Sequence, residues 1–274
     1  MKIVNTALNI FFLAGASLLL LLILLAGSSD HFPLNHFYWL RADTSNIPGA
    51  PATSEWTFWG ICQEGDYSNC TLGPAYPISP KDNFHTTKGV PSKLVSNRDT
   101  YYFLTRFSFT FTIIAFCFTA ITLIVDLLGF CFSIIDKITI FFLSFAVFFI
   151  FGVAAFQTAA VVMAKSAFKD DNLSAKVGID LMAILWAAVV CLLIVYFNTC
   201  FANISSSYKK HMERVRAARG ESYPEAGQDA DADASSFTRS APAQTETKES
   251  SNNGGIRFFK IKRNNQKVSD EESL

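Results

Sequence analysis

Six cysteines are the most reactive side chains in this 274-residue sequence, and they divide by surroundings. Cys117, Cys131, Cys191 and Cys200 lie in or at the ends of long apolar stretches. Cys62 and Cys70 lie in polar sequence, eight positions apart, with the turn formers Gly65, Asp66, Ser68 and Asn69 between them. Two loop cysteines so placed favour a disulfide in an oxidising compartment. Closing so short a loop stabilises by about 2–3 kcal/mol. Two free thiols are the alternative. A metal site is the weaker reading, because His31, His36 and His85 stand at no ligand spacing to either thiol. Cys131 and Cys200 suit S-acylation or, preferably, small apolar packing. Asn69-Cys70-Thr71 and Asn172-Leu173-Ser174 are formal glycosylation sequons. The first has its middle residue in the expected disulfide, and the second lies close to the membrane. The chain has no HExxH, GxSxG, phosphate-binding loop or glycine-rich dinucleotide turn. We therefore expect no enzyme, no cofactor and no metal. Asp126 is an acid within an apolar stretch, where charge is costly. It reads as a snorkelling or interfacial residue rather than a transport group.

Four apolar stretches must carry these groups: residues 7–26, 107–130, 138–163 and 178–202. Each has the roughly 20 residues that a helix needs to cross a hydrocarbon core about 30 Å thick. The first follows Lys2 and precedes Ala26-Gly27-Ser28, but its apolar run exceeds the 7–15 residues of a signal-peptide core. It reads as a retained anchor. The fold expected is therefore an all-α membrane protein, a four-helix bundle. Its 23 basic and 23 acidic residues cancel, and only 17% of the chain is charged, against about 25% in soluble domains. That neutrality excludes a generally basic nucleic-acid binder. Lys209, Lys210, Arg214, Arg216 and Arg219 form the strongest basic cluster, which the positive-inside rule places in the cytosol. The reading that follows has a cytosolic N-terminus (1–6), an outer loop (27–106), a short cytosolic turn (131–137), a second outer loop (164–177) and a cytosolic tail (203–274).

The outer loop holds seven of the nine prolines, which argue against a long helix and for short strands and turns. Trp39, Trp56 and Trp59 with Phe37, Tyr38 and Phe58 offer a small aromatic core, and residues 36–39 also fit an aromatic belt at the membrane surface. In the third span, Gln157 and Thr158 stand beside Ala154, Ala155, Ala159, Ala160 and Ala164. Small residues at four-residue spacing let helices approach and an amide can bond across them, so Ala155, Gln157 and Ala159 read as packing residues rather than a substrate path. In the tail, the basic cluster can meet anionic lipid at about 1 kcal/mol per cation, although orientation alone would also produce it. The stretch 221–253 has the composition of a disordered segment. Phe258, Phe259, Lys260, Lys262 and Arg263 suggest a second lipid or scaffold contact, and Ser269 before Asp270, Glu271 and Glu272 suits an acid-directed kinase.

The aromatic pattern Trp56-x-x-Trp59-x-x-Cys62 followed by Cys70 resembles the claudin superfamily, in which a tryptophan and two bonded cysteines occupy the first outer loop. Claudins carry Gly-Leu before the tryptophan of that motif, whereas Thr57-Phe58 stand here, so pore or junction activity is not implied. The sequence is more similar to the fungal Sur/PalI family, in particular its Sur-seven branch. The segments that carry the likeness are 30–33, 37–39, Trp56-Thr57-Phe58-Trp59-Gly60-Ile61-Cys62, 74–80, 102–109, 157–160 and 164–168, with a looser match at 256–259. The resemblance implies a plasma-membrane protein of cortical furrows called eisosomes, acting in membrane organisation, cell-wall integrity and sphingolipid balance. It implies sphingolipid-rich or anionic lipids and eisosome scaffold proteins as partners, with self-association left open and no nucleic acid. A transporter or channel subunit would need more polar residues along a path, and a PalI-like pH sensor a longer tail.

Overall fold

The computed structural model describes residues 2–128 and 135–218. Among these, four helices are long and apolar enough to cross a membrane. They are α1 (Lys2–Leu25), α4 (Arg98–Leu128), α5 (Ile135–Asp170) and α6 (Ile179–Ala218), with the short helices α2 (Pro80–Asn83) and α3 (Ser92–Ser96) before α4. The turn expected at 131–137 falls mostly outside the described residues. All four helices outrun their apolar stretches: α1 starts at Lys2, α4 starts at Arg98 ahead of Phe107, α5 runs from Ile135 to Asp170 and so takes in the first half of the expected 164–177 loop, and α6 continues past residue 202 to Ala218. α4 and α6 include no glycine or proline, and the first glycine after α6 is Gly220.

The four helices pack in the cyclic order α1–α4–α5–α6, each on two neighbours. The buried positions recur every three and four residues. They are Leu13, Ala16, Leu20 and Ile23 on α1; Leu143, Ala146, Ile150, Val153, Gln157, Ala160 and Ala164 on α5; and Leu181, Leu185, Ala188, Leu192 and Val195 on α6. This 3.5-residue period is the seam of left-handed bundle packing. On α4 the same seam is hydroxylic: Thr105, Ser108, Thr112, Thr119 and Thr122 are all buried. The threonines return their protons to the carbonyl one turn back, at 2.7–2.8 Å, so they add bulk without an unpaired group. The phenylalanines fill the α4–α5 contact and the lipid-facing surface. Phe118 stacks on Phe145 at 5.2 Å, and Phe111 meets Phe149 edge-on at 5.1 Å. Phe141 and Phe148 are exposed. At Gly152 a Cβ would come within 2.6 Å of the Phe111 ring, so that glycine admits the ring.

Above one end of the bundle sits a five-stranded antiparallel sheet in the order β4–β3–β2–β1–β5. The strands are β1 (Leu40–Asp43), β2 (Thr53–Trp56), β3 (Gly60–Gln63), β4 (Asp66–Leu72) and β5 (Ala175–Val177). Strands in the proline-rich loop match the expectation. β5 is additional: the 164–177 connection adds an edge strand, with Leu40 opposite Val177 and Ala42 opposite Ala175. Three residues are too few to show a period-two pattern in sequence.

Candidate functional site

The sheet is folded around its aromatic motif. β2 ends on Trp56, whose indole N–H donates to Asn83 Oδ1 at 2.8 Å and whose ring lies 6.1 Å from Phe168 on α5. The Thr57 hydroxyl then closes a tight turn, donating to the Gly60 carbonyl at 3.2 Å and accepting the Trp59 amide at 3.1 Å. That turn sends Trp59 down onto the bundle, where its N–H reaches the Leu24 carbonyl at 2.6 Å and its ring meets Phe109 edge-on at 5.6 Å. Leu24 lies in the last turn of α1, where helix carbonyls lack partners of their own. One indole therefore caps a helix and anchors the sheet. Gly60 has no room for a side chain, since a Cβ would overlap the Thr71 carbonyl and lie 3.1 Å from Leu72 Cα. Trp39, Trp56 and Phe58 are almost wholly buried, and Trp39 packs 5.0 Å from Phe58. Burying aromatics of this size costs about 3–5 kcal/mol each to undo by truncation.

Cys62 and Cys70 face each other across β3 and β4 and are joined as a disulfide. The hairpin turns at Gly65, with φ +74°. Asp66 Oδ1 accepts from the Ser68 amide at 3.0 Å and its hydroxyl at 2.5 Å, and Asn69 bonds Gln63 Oε1 at 2.9 Å. Asn69 is exposed on the edge strand. Tyr67 O–H donates to the Gly27 carbonyl at 2.7 Å, tying this hairpin to the end of α1.

Three further ties hold the outer loop to the long helices. Arg98, at the start of α4, grips Asp82 with Nε and Nη2 at 2.8–3.1 Å, while the Ser79 hydroxyl donates to the same carboxylate at 2.5 Å. Those Arg98 bonds hold the Asp82 carboxyl below its ordinary range, against some burial. Lys93 pairs with Asp170 at 2.7 Å. Gly178 N donates to the Trp39 carbonyl at 2.9 Å, and its own carbonyl accepts the first bond of α6 from Met182.

Inside the bundle the expected packing residues separate. Gln157 is 1% exposed, and neither amide atom has a hydrogen-bond partner among the described residues. Ala159 is half-buried. Ala155, expected at a helix contact, is exposed, and the alanines inside are Ala154, Ala160 and Ala164. Gln157 faces inward as the spacing predicts and Ala155 does not, because a run of adjacent alanines does not reveal which of them faces inward. Sequence reasoning also missed the clasp between the other ends of α1 and α6. Asn9 Nδ2 donates to Thr199 Oγ1 at 3.1 Å, and Asn198 Nδ2 donates to Asn9 Oδ1 at 2.6 Å. Polar residues at 9, 198 and 199 in otherwise apolar sequence were its visible signal.

Lys209, Lys210, Arg214 and Arg216 all lie exposed on the helical extension of α6. A continuous helix separates them by height. With a rise of about 1.5 Å per residue, Lys209 stands about 10 Å and Arg216 about 21 Å beyond residue 202. Arg219, Phe258, Phe259, Lys260, Lys262 and Arg263 lie outside the described residues.

The sequence matches the SUR7/PalI family over residues 5–198. It is 56% identical to the Protein SUR7 of Candida albicans over 275 aligned residues, all of both chains. It is 42% identical to the Protein SUR7 of Saccharomyces cerevisiae over 219 residues, 76% of this chain and 72% of that one. A further Saccharomyces cerevisiae protein, described as a plasma membrane protein, is 31% identical over 199 residues, 68% of this chain and 64% of that one. A likeness that runs through all four spans and the sheet between them places this multi-pass membrane protein in the SUR7/PalI family.

Proposed function

We propose that this protein is a non-enzymatic organiser of a plasma-membrane microdomain of the eisosome type, supporting cell-wall integrity and sphingolipid balance. Both termini face the cytosol and the sheet faces outward. The observation that carries the reading is the rigid coupling of the outer sheet to the bundle. Trp59 caps α1, Arg98 binds the loop to α4, and β5 extends from the α5–α6 connection into the same sheet. Such a body couples forces on the outside to helix positions in the bilayer, while exposed phenylalanines on α4 and α5 meet lipid along the spans. Family membership and the full-length likeness to a SUR7 protein support the same assignment. The partners proposed are sphingolipid-rich or anionic lipids and cytosolic scaffold proteins, reached through the basic end of α6.

Imaging a fluorescently tagged full-length copy in its native cell tests this. Immobile cortical patches that recover slowly after bleaching are expected. A uniform or internal membrane signal would overturn the organiser role.

A further inference from the structure

The two edges of the outer sheet are unlike. At one edge β5 has three residues, and Lys176 stands exposed at its centre. A short strand with an outward lysine discourages pairing with another chain. At the other edge β4 has seven residues, no proline, lysine or arginine, and one charge, Asp66. It pairs with β3 on one side and, among the described residues, with no strand on the other. Cys70 to Leu72 pair regularly with Gly60 to Cys62, and Leu72 is exposed. This half of β4 is an uncharged edge that ends on an exposed leucine, and such an edge invites a further strand.

The same strand carries Asn69-Cys70-Thr71, a glycosylation sequon whose middle residue is not proline. The disulfide does not bury it. Cys70 is bonded to Cys62 across the ladder, while Asn69 and Thr71 are both exposed. The β3–β4 register passes from Cys62–Cys70 directly to Gln63–Asp66, so Tyr67, Ser68 and Asn69 have no opposite residue. Asn69 therefore stands on a bulge, outside the regular ladder. Its Nδ2 donates to Gln63 Oε1 at 2.9 Å. An asparagine amide has two N–H groups, so this bond survives when the other hydrogen is replaced by carbon.

The disulfide also places the hairpin on the oxidising side of the membrane, the side on which such sequons are acceptors. Chain length separates this sequon from Asn172-Leu173-Ser174. Asn69 lies 44 residues after the end of α1 at Leu25 and 29 before the start of α4 at Arg98, whereas Asn172 lies two residues after the end of α5 at Asp170. At about 3.3–3.6 Å per extended residue, Asn69 has about 95 Å of chain or more with which to reach a membrane-bound transferase, and Asn172 about 7 Å on its shorter side.

We propose that Asn69 carries an N-linked glycan and that this glycan covers the free edge of the sheet. In the transfer, Asn69 Nδ2 attacks the anomeric carbon of a lipid-linked oligosaccharide diphosphate. The new N–C bond replaces the C–O bond to phosphate. The lipid diphosphate leaves with the bonding electron pair, and the amide nitrogen loses one proton. A bulky, hydrated oligosaccharide on the bulge then occupies the space through which a further strand would approach Cys70 to Leu72. The site rests on the outward orientation of the sheet and not on the organiser role.

The test expresses the tagged full-length chain in its native cell, treats it with endoglycosidase H or peptide N-glycosidase, and reads gel mobility. One downward step is expected for wild type, Thr71→Ser and Asn172→Gln, and none for Asn69→Gln or Thr71→Ala. His85→Asn is the control for orientation. It puts an asparagine two residues before Thr87, at an exposed position with φ +52°, a conformation that asparagine tolerates. That variant should show a second step. A step from His85→Asn with none from Asn69 would overturn the proposal and leave the outward orientation standing. No step from either would overturn both. The covering role is read on the purified chain in detergent by size-exclusion. Enzymatic removal of the glycan should produce larger assemblies, and Leu72→Lys, which charges the edge, should abolish them. Unchanged size after deglycosylation would overturn the covering role. If patches fail to form in cells while Asn69 is glycosylated, the organiser role falls and the site stands.

Discussion

Gly178 is the position where the sheet, the bundle and the chain reversal into α6 meet, and replacing it with alanine should be among the most damaging single-methyl changes in the protein. A Cβ at Gly178 would overlap the Tyr38 carbonyl oxygen, lie 2.7 Å from the Tyr38 carbonyl carbon and 3.3 Å from its ring. Carbon atoms in contact sit about 3.5–4.0 Å apart, so the Tyr38 backbone must retreat by about 1 Å. Backbone cannot swing aside as a side chain can. The retreat breaks the Gly178-to-Trp39 bond of 2.9 Å and strains the β1–β5 ladder and the Asp43-to-Ser174 bond beside it. At about 0.5–1.5 kcal/mol per lost hydrogen bond, with about 1–3 kcal/mol for overpacking, the total is on the order of 3–5 kcal/mol. For a chain of 274 residues that corresponds to a Tm lower by about 5–9 °C. Thermal unfolding of the fluorescently tagged chain in detergent, followed by size-exclusion, measures it. Gly15→Ala is the internal control, because nothing lies within 4 Å of a Cβ there and alanine in mid-helix gains about 0.5–1 kcal/mol. A Gly178→Ala protein that melts within 2 °C of wild type, or no lower than Gly15→Ala, would refute the close-approach argument.

Replacing Cys62 and Cys70 together by serine should lower stability by about 2–3 kcal/mol and cause retention during biogenesis; normal surface delivery and an unchanged Tm would count against a structural role. Asp82→Asn should lower Tm at pH 7. The folded carboxyl titrates below its ordinary 3.8, so the stability it adds is present above that value and is lost as pH falls through the folded one. The Tm difference between variant and wild type should therefore persist at pH 5–7 and narrow progressively in melts taken below pH 3.8. Converting Lys209 and Lys210 to Gln should weaken association with phosphatidylserine-containing bilayers by about 1 kcal/mol per cation. The same change at Arg214 and Arg216 should cost less, because on a continuous helix they stand about one further Debye length of about 8 Å from the leaflet than the two lysines; equal losses in a nanodisc lipid-binding assay would show that the helix bends at the surface.

Much of this architecture was legible because lipid imposes strong rules on sequence. A span must be apolar and about 20 residues long, so four of them stand out without any knowledge of packing. Cys62 and Cys70 were legible because both lie in polar sequence with turn formers between them. What escaped the sequence depends on distances between segments far apart in the chain. β5 exists because β1 presents an edge to it. Ala154 rather than Ala155 faces inward because of how α5 is rotated against α4 and α6. The length of α6 was hidden for a different reason. Polarity beyond residue 202 suggests the end of a span, but a solvated polar helix needs only residues that do not break it, and Asn203 to Ala218 include no breaker.

The motif Trp56-x-x-Trp59-x-x-Cys62 gains a mechanical meaning once its residues are placed. Its two tryptophans point to different partners, Trp56 to Asn83 and Phe168, and Trp59 to Leu24 and Phe109. Its cysteine fastens the hairpin next to them. The two tryptophans tie the sheet to four helices, α2 and α5 through Trp56 and α1 and α4 through Trp59, while the cysteine joins β3 to β4 within it. A single hydrophobic face would hold the sheet on the bundle equally well in energy, but it would allow sliding or rotation, because apolar contact is non-directional. Two indole hydrogen bonds and the Arg98–Asp82 fork supply direction. If the protein organises a membrane domain from both sides of the bilayer, directional attachment is what the task requires: a displacement of the sheet then moves α1 and α4 with it. On that argument Trp59→Phe, which keeps an aromatic ring against Phe109 but removes the donor to Leu24 and part of the indole's bulk, should disturb patch formation more than its loss of about 1–3 kcal/mol in stability would suggest. Trp59→Phe cells with normal, immobile patches and a slightly lowered Tm would show that burial alone is sufficient.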